Sequence, residues 1–216
     1  MKKFGIGCAA VAAICIFSII ILAIAMKGSY NHLVGLSQGV NSQWAQVQTV
    51  YQRRADLIPN LVSTVSGAAN FEKSTLIAVT EARASVGQVK IDPNTAPNDP
   101  AKLAEFQHAQ GQLSSALSRL LVVSERYPEL KANNNFRDLQ AQLEGTENRI
   151  AVARMDFNNA VQAYNTAIKS VPAVFYANRF GFTFTEKPYF NATPGAETAP
   201  KVEFNFGGQT PAATNK

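Results

Sequence analysis

The chain has only two cysteines, Cys8 and Cys15, and both lie within an apolar run near the N-terminus. The rest of the chain therefore cannot form an internal disulfide, and its core must stabilise it alone. Within an apolar run a cysteine packs as a small apolar side chain, so we assign neither thiol a chemical role.

Basic runs are also missing from the chain. No Lys or Arg occurs between Lys27 and Arg53, and no basic stripe follows. The first lysines and Lys27 account for three of the 20 Lys and Arg residues, which leaves 17 against 15 Asp and Glu, a net charge of +2. This near-neutral balance argues against nucleic acid as a partner.

The signatures of two common enzyme classes are absent as well. The sequence contains no H-E-x-x-H motif and no G-x-x-x-x-G-K-[ST] motif. Glu105 and His108 form a single E-x-x-H, a motif that di-iron helical bundles use twice. The only other histidine, His32, has no acidic residue three positions before it. We therefore expect a protein that is not an enzyme, with no catalytic residue, no cofactor and no metal site.

What the sequence does contain is a run of 23 uncharged residues, Phe4–Met26. As a helix this run spans roughly 35 Å, enough to cross a hydrocarbon core of about 30 Å. We therefore predict a transmembrane anchor whose partner is the lipid bilayer. The segment Ala23-Ile24-Ala25 also fits a signal-peptidase site, so cleavage after Ala25 is the alternative, although the run exceeds the usual length of a signal peptide's apolar region.

Basic residues near the ends of the run predict its orientation. Lys2 and Lys3 precede it, whereas Lys27 alone follows closely. Because basic residues stay on the cytoplasmic side, we predict a single span in the cytoplasmic membrane, with the N-terminus in the cytoplasm and the rest of the chain in the periplasm. Cleavage of the run would export the same part.

After Ser29, apolar residues recur at helical spacing in four segments. Their apolar seams are Leu33, Leu36, Val40, Trp44, Val47 and Tyr51; Leu57, Leu61, Val65, Ala68, Leu76, Val79 and Val86; Leu103, Phe106, Leu113, Leu117 and Leu120; and Phe136, Leu139, Leu143, Ile150, Phe157, Val161, Tyr164, Ile168 and Val171. Short links between long amphipathic helices indicate antiparallel neighbours. The predicted fold is all-α: a transmembrane helix in residues 1–28, then an antiparallel four-helix bundle of long helices in residues 29–172.

Turn and cap residues predict where these helices begin and end. Pro59 interrupts the apolar pattern just after Asp56, a residue that can cap a new helix, so we expect the chain to reverse at Arg54–Pro59. Asp99 followed by Pro100 predicts the start of the third helix. The asparagines at 133–135 offer caps for the fourth.

An aromatic-rich extension, residues 173–192, follows the bundle, and residues 193–216 are rich in Pro, Ala, Thr and Gly, which predicts a mostly disordered tail. Phe180, Phe182 and Phe184 stand close together in the extension. They form either a flap against the bundle or an interaction surface for a protein partner. We favour the flap because large exposed apolar clusters are rare in soluble monomers.

Charged residues also stand on the apolar seams, namely Arg54, Glu72, Arg83, Glu147 and Arg154. An unpaired buried charge costs several kcal/mol, so buried members of this set must be paired. We predict a network of Glu–Arg pairs across the core, and an interaction between Glu72 and Arg83. Such a network either fixes the register of the helices or lines a pocket for a polar ligand.

Seven segments of the chain together resemble a known family. They are Tyr30-Asn31-His32-Leu33-Val34, Arg53–Val62, Glu81-Ala82-Arg83, Glu125–Leu130, Glu147–Arg154, Phe157–Val161 and Tyr164-Asn165. In this order, over about Tyr30 to Phe184, they closely resemble the LemA family of bacterial membrane-anchored proteins. The resemblance implies a bacterial origin, an N-terminal anchor and a helical bundle, and it implies no mechanism. Phe71 stands where family members often have His, and Phe157 replaces a common Tyr.

Taken as a whole, these features predict a non-enzymatic scaffold or protein-interaction module of the bacterial cell envelope. The alternative is a small-ligand-binding or cryptic enzymatic domain that uses the seam charges.

Overall fold

The computed structural model describes residues 2–68, 71–89, 98–177 and 183–191, with side chains from residue 13 onward. Its elements are α1 (Lys2–Ser66), α2 (Lys73–Gln88), α3 (Pro100–Ser124), α4 (Pro128–Ala132), α5 (Asn134–Lys169) and a 3-10 helix at Ala173–Phe175. These described ranges contain no strand, and residues 183–191 run as an extended segment beside the helices. Phe180, Phe182 and the predicted tail lie outside the described residues.

The first helix, α1, has 65 residues and is roughly 98 Å long at the standard helical rise. In its N-terminal part, the large apolar side chains from Ile14 to Ile24 each expose between 51% and 67% of their surface. By length and composition alone, α1 contains an apolar window long enough to cross a membrane. The prediction of one long apolar helix near the N-terminus is confirmed.

The predicted reversal at Arg54–Pro59 is wrong, because α1 continues through Pro59 to Ser66. Proline lacks the N–H that would bond to the carbonyl of Ala55, four residues earlier. That carbonyl accepts a hydrogen bond from Nε of Arg83 on α2 instead, over 3.1 Å. The second predicted helix is therefore divided between the end of α1 and α2, and the chain turns after Ser66.

The helices α1 and α5 run antiparallel. Ser29, in the first half of α1, contacts Tyr176, which follows the C-terminal end of α5. Arg54, near the C-terminal end of α1, contacts Glu147 in the first half of α5. Apolar residues of both helices form one core between these points, together with the start of α3. Its buried members include Leu33, Val40, Trp44, Val47, Tyr51, Phe106, Ile150, Phe157, Val161, Tyr164 and Ile168.

A second core lies beyond Arg54, where the end of α1 meets α2, α3, α4 and the start of α5. Its buried members are Ile58, Leu61, Val65, Val79, Leu113, Leu117, Leu120, Leu130, Phe136 and Leu143. The predicted starts of α3 and α5 are confirmed. Asp99 accepts a hydrogen bond from the amide of Ala101, and Asn133 accepts one from the amide of Phe136.

Candidate functional site

Arg54 lies between the two cores and is only 1% exposed. Its Nη1 donates to Oε1 of Glu147 over 2.6 Å and to Oγ of Ser114 over 2.7 Å. Its Nη2 donates to the backbone carbonyl of Gln110 over 3.4 Å and to the side-chain oxygen of the same residue. Arg54, Gln110, Ser114 and Glu147, which we name the Arg54 centre, therefore join α1 to α3 and α5.

Two contacts of Arg54, with Glu147 and with Tyr51, determine the electrostatics of the Arg54 centre. The Glu147 side chain is 46% exposed, so the ion pair reaches water on one side. On another side, Cζ of Arg54 lies 5.1 Å from the centroid of the Tyr51 ring. Burial raises the pKa of Tyr51 above its usual 10.0, against the opposing effect of Arg154 and Arg54. At neutral pH Tyr51 is therefore an uncharged phenol, and Glu147 balances the charge of Arg54.

The predicted interaction between Glu72 and Arg83 is wrong. Glu72 is the N-cap residue of α2, and its carboxylate lies 3.1 Å from Nη2 of Arg126 and 3.7 Å from Nη2 of Arg119. Glu72 therefore contacts the C-terminal part of α3 at Arg119 and the turn after α3 at Arg126. Arg83 lies farther along α2 and caps the carbonyl of Ala55.

Arg154 and two asparagines of α5 hold the extended segment 183–191. The Asn165 amide donates to the carbonyl of Lys187 and accepts from its N–H, both over 2.9 Å. Asn158 makes the same pair of bonds with Phe190, over 3.0 and 2.8 Å. Arg154 donates to the carbonyl of Asn191 over 2.8 Å. We name Asn158 and Asn165 the asparagine clasp, because each binds the main chain of the segment with both its donor and its acceptor.

Side chains of the same segment complete the core. Phe190 is 5% exposed and lies against Trp44 and Phe157, with ring centroids 6.1 and 5.3 Å away. Phe184 is half-buried and meets Tyr30 edge-on at 5.5 Å. Of the predicted aromatic surface, Phe184 thus packs as part of a flap.

Lys187 is a charged residue of the segment that sequence reasoning did not single out. It is 6% exposed, and its Nζ donates to Oδ1 of Asn98 over 3.0 Å and lies 5.5 Å from the centroid of the Tyr164 ring. Burial lowers the pKa of Lys187 and raises the pKa of Tyr164. The lysine therefore secures the middle of the segment at some cost in desolvation.

The sequence also predicted no structural role for the two residues of the asparagine clasp. The spacing of Asn158 and Asn165 is two helical turns, which places both on one face of α5. The sequence offered one signal for this role: both asparagines lie on the face of α5 that also buries Phe157, Val161 and Tyr164. A buried amide needs hydrogen-bond partners, so partners from another segment could have been expected.

A groove of about 1300 Å³ lies between α1 and α2. Its lining is mostly polar on the α1 side, where it includes Gln48, Gln52, Arg53 and Asp56. Arg83 lines the other side. Glu105 and His108 are both exposed on α3, and the described residues contain no group of three or more His, Cys, Asp or Glu placed to hold a metal ion.

A profile of the LemA family matches residues 43–204. The magnetosome protein MamQ 1 of Paramagnetospirillum magneticum is 25% identical over 205 residues, 88% of this chain and 74% of that protein. MamQ of Magnetospirillum gryphiswaldense is 26% identical over 201 residues, 86% and 73% of the two chains. Protein LemA of Metamycoplasma hominis is 22% identical over 141 residues, 65% and 60% of the two chains. The chain belongs to the LemA family.

Proposed function

We propose that the chain is a non-enzymatic scaffold or protein-interaction module of the bacterial cell envelope. In this proposal Phe4–Met26 crosses the cytoplasmic membrane once, with the N-terminus in the cytoplasm. The helical part lies in the periplasm, and there the end of α1, α2, α3 and the start of α5 form a four-helix bundle. The exposed apolar surface of α1 supports the anchor, and the lysines at its two ends support the orientation.

The observation that carries the scaffold role is the use of the seam charges. Arg54 and Glu147 tie α1 to α3 and α5, and Arg83 caps a carbonyl of α1. Arg154 holds the extended segment. Each of these groups acts between elements of the fold, as expected if the charges fix the relative positions of the helices. A rigid helical body on a membrane stalk is suited to presenting a surface to another protein.

The relatives named magnetosome proteins are consistent with this role. Their names associate those proteins with the magnetosome. Sequence identity to these relatives is only about a quarter, so we propose for this chain only that it is one component of a protein assembly.

Site-specific photo-crosslinking of the full chain in its own membrane tests the proposal. A photoreactive phenylalanine analogue replaces one exposed apolar residue at a time: Ile77, Val122, Val152 and Met155. We expect at least one position to give a discrete adduct, identified by mass spectrometry, while the others serve as matched controls. Adducts at no position, or the same diffuse set of proteins at every position, would contradict a specific protein partner.

The groove between α1 and α2 favours a second candidate, a domain that binds a small polar ligand. Arg53 and Asp56 line it, so a ligand with both charges or with several hydroxyl groups would find partners. Native mass spectrometry of the full chain released from detergent would detect a bound small molecule. A ligand retained by the wild type and lost in Arg53→Gln would favour this candidate over the scaffold.

A further inference from the structure

A turn with three exposed apolar side chains follows α5. Val171 is 76% exposed, Val174 is 50% exposed and Phe175 is 65% exposed. The prediction that Val171 lies on the buried seam of the last helix is therefore wrong, because α5 ends at Lys169. We name residues 170–176 the apolar turn. Elsewhere in the described helical domain, large apolar side chains on the surface occur singly or in pairs, as is normal for a soluble protein.

The position of the apolar turn is fixed by its contact with α1. Oη of Tyr176 donates to Oγ of Ser29 over 2.7 Å. Ser29 lies three residues after Met26, the last residue of the apolar run, which is roughly 4.5 Å along the helix. The polar region of a bilayer leaflet is about 5–8 Å thick. If Met26 marks the edge of the hydrocarbon, the apolar turn therefore lies at the depth of the headgroups.

The backbone of the apolar turn is suited to an environment that is poor in water. The amide of Val174 donates to the carbonyl of Ser170 over 3.0 Å, and the amide of Phe175 donates to the carbonyl of Pro172 over 3.2 Å. These donors are thus satisfied within the turn, which is required near lipid. Ala173 and Tyr176 are each 2% exposed, so they fix the turn to the core while the other side chains point outward.

We infer that the apolar turn is a second membrane contact, in which Val171, Val174 and Phe175 enter the boundary between headgroups and acyl chains in the leaflet from which α1 emerges. The inference rests on the proposed anchoring of the chain by α1. We name the bilayer as the partner of this surface because Tyr176 holds the apolar turn beside Ser29, at the point where α1 leaves the hydrocarbon. Tyr30 is partly exposed one residue from Ser29, a position typical of an aromatic residue at a membrane interface.

Two contacts with one leaflet have a mechanical consequence. A single helix can tilt freely, but the apolar turn, held beside α1 through Tyr176 and Ser29, opposes any tilt of α1 that would lift the turn out of the leaflet. The helical domain is therefore held in one orientation on the membrane surface.

Nitroxide accessibility of the full chain in nanodiscs of phosphatidylethanolamine and phosphatidylglycerol tests the inference. Single cysteines carry the label in a Cys8→Ala, Cys15→Ala background. Val174→Cys is the test position, Ile20→Cys is the reference in the span, and Val122→Cys, on a residue 69% exposed in α3, is the aqueous control. We expect a ratio of oxygen to nickel-chelate accessibility at Val174 several-fold above that at Val122.

The possible results separate the inference from the anchor. A label at Val174 as accessible to the nickel chelate as the one at Val122, with Ile20 in lipid, overturns the inference and leaves the anchor in place. An aqueous label at Ile20 overturns the anchor itself. A label at Val174 that neither reagent reaches shows cover by protein, such as a second copy of the chain, and also overturns the lipid contact.

A second measurement avoids the label. Phe175→Trp adds one indole to a chain whose only tryptophan, Trp44, is fully buried. Lipids brominated near the headgroup should quench the added emission and spare that of Trp44 in the wild type. Quenching of Phe175→Trp by aqueous iodide to the same extent as Val122→Trp would overturn the inference.

Discussion

Nε of Arg83 donates a hydrogen bond to the carbonyl of Ala55, 3.1 Å away. Pro59 leaves this carbonyl without its partner inside α1, so a side chain from α2 takes the place of the missing N–H. The contact explains how one helix passes unbroken from the apolar run into the second core. It also fixes α2 against α1 at the point where the groove lies.

Replacing Arg83 should therefore cost less when residue 59 has its own N–H. We expect Arg83→Met to lower the free energy of unfolding by about 1 kcal/mol, and by much less in a Pro59→Ala background, where residue 59 can bond to Ala55. Trp44 fluorescence during urea unfolding of the full chain in detergent reports the core. Arg53→Met is the matched control, and equal losses in both backgrounds would contradict the capping role.

The ion pair of the Arg54 centre predicts a strong dependence on Glu147. Glu147→Gln leaves the buried Arg54 charge without its counter-charge, which costs about 2 kcal/mol after allowance for the exposure of Glu147. In an Arg54→Met background the same substitution should cost little. Glu144→Gln, one turn earlier on α5, is the control. Additive losses for Arg54 and Glu147 would show that the pair is not coupled.

Loss of one member of the asparagine clasp should release the extended segment. Asn165→Ala leaves the N–H and carbonyl of Lys187 without their partners, at a cost of about 1–3 kcal/mol. Hydrogen exchange at the amides of Lys187 and Phe190 should become faster, while exchange in the second core stays unchanged. Asn159→Ala, an exposed neighbour of the clasp, is the control. Unchanged exchange in Asn165→Ala would mean that the segment is held by its side chains alone.

The raised pKa of Tyr51 predicts a loss of stability at alkaline pH. Burial favours the neutral phenol in the folded state, so its contribution is complete below pH 10.0 and is lost as the pH rises through the folded-state pKa. Above pH 10.0, the unfolding free energy of the wild type should therefore fall more steeply with pH than that of Tyr51→Phe. Tyr189→Phe, at a more exposed ring, is the control. Parallel pH profiles for wild type and Tyr51→Phe would contradict this contribution.

The seams and helix starts were predictable because they depend on local patterns. Trp44, Val47 and Phe157 follow the helical period and are fully buried, and Asp99 and Asn133 cap as their positions indicate. A helix that passes through proline was not predictable in this way. Its compensation comes from Arg83, 24 residues farther along the chain than Pro59.

The candidate site was predictable only in part, for the same reason. A buried arginine on a seam indicates a paired charge, but its choice of Glu147, Gln110 and Ser114 depends on how α3 and α5 lie. The asparagine clasp holds a segment that is 22 or more residues distant in sequence. No local pattern in that segment specifies α5 as its neighbour.

The location of the helical domain outside the cytoplasmic membrane is the central claim, and labelling of intact cells tests it most directly. Val122→Cys in a Cys8→Ala, Cys15→Ala background places one exposed thiol on α3, far from the span. Once the outer envelope is made permeable, a membrane-impermeant maleimide should label Val122→Cys in whole cells. The labelled protein should stay with the membrane fraction after an alkaline wash. Labelling of Val122→Cys only after the cytoplasmic membrane is broken would contradict the account.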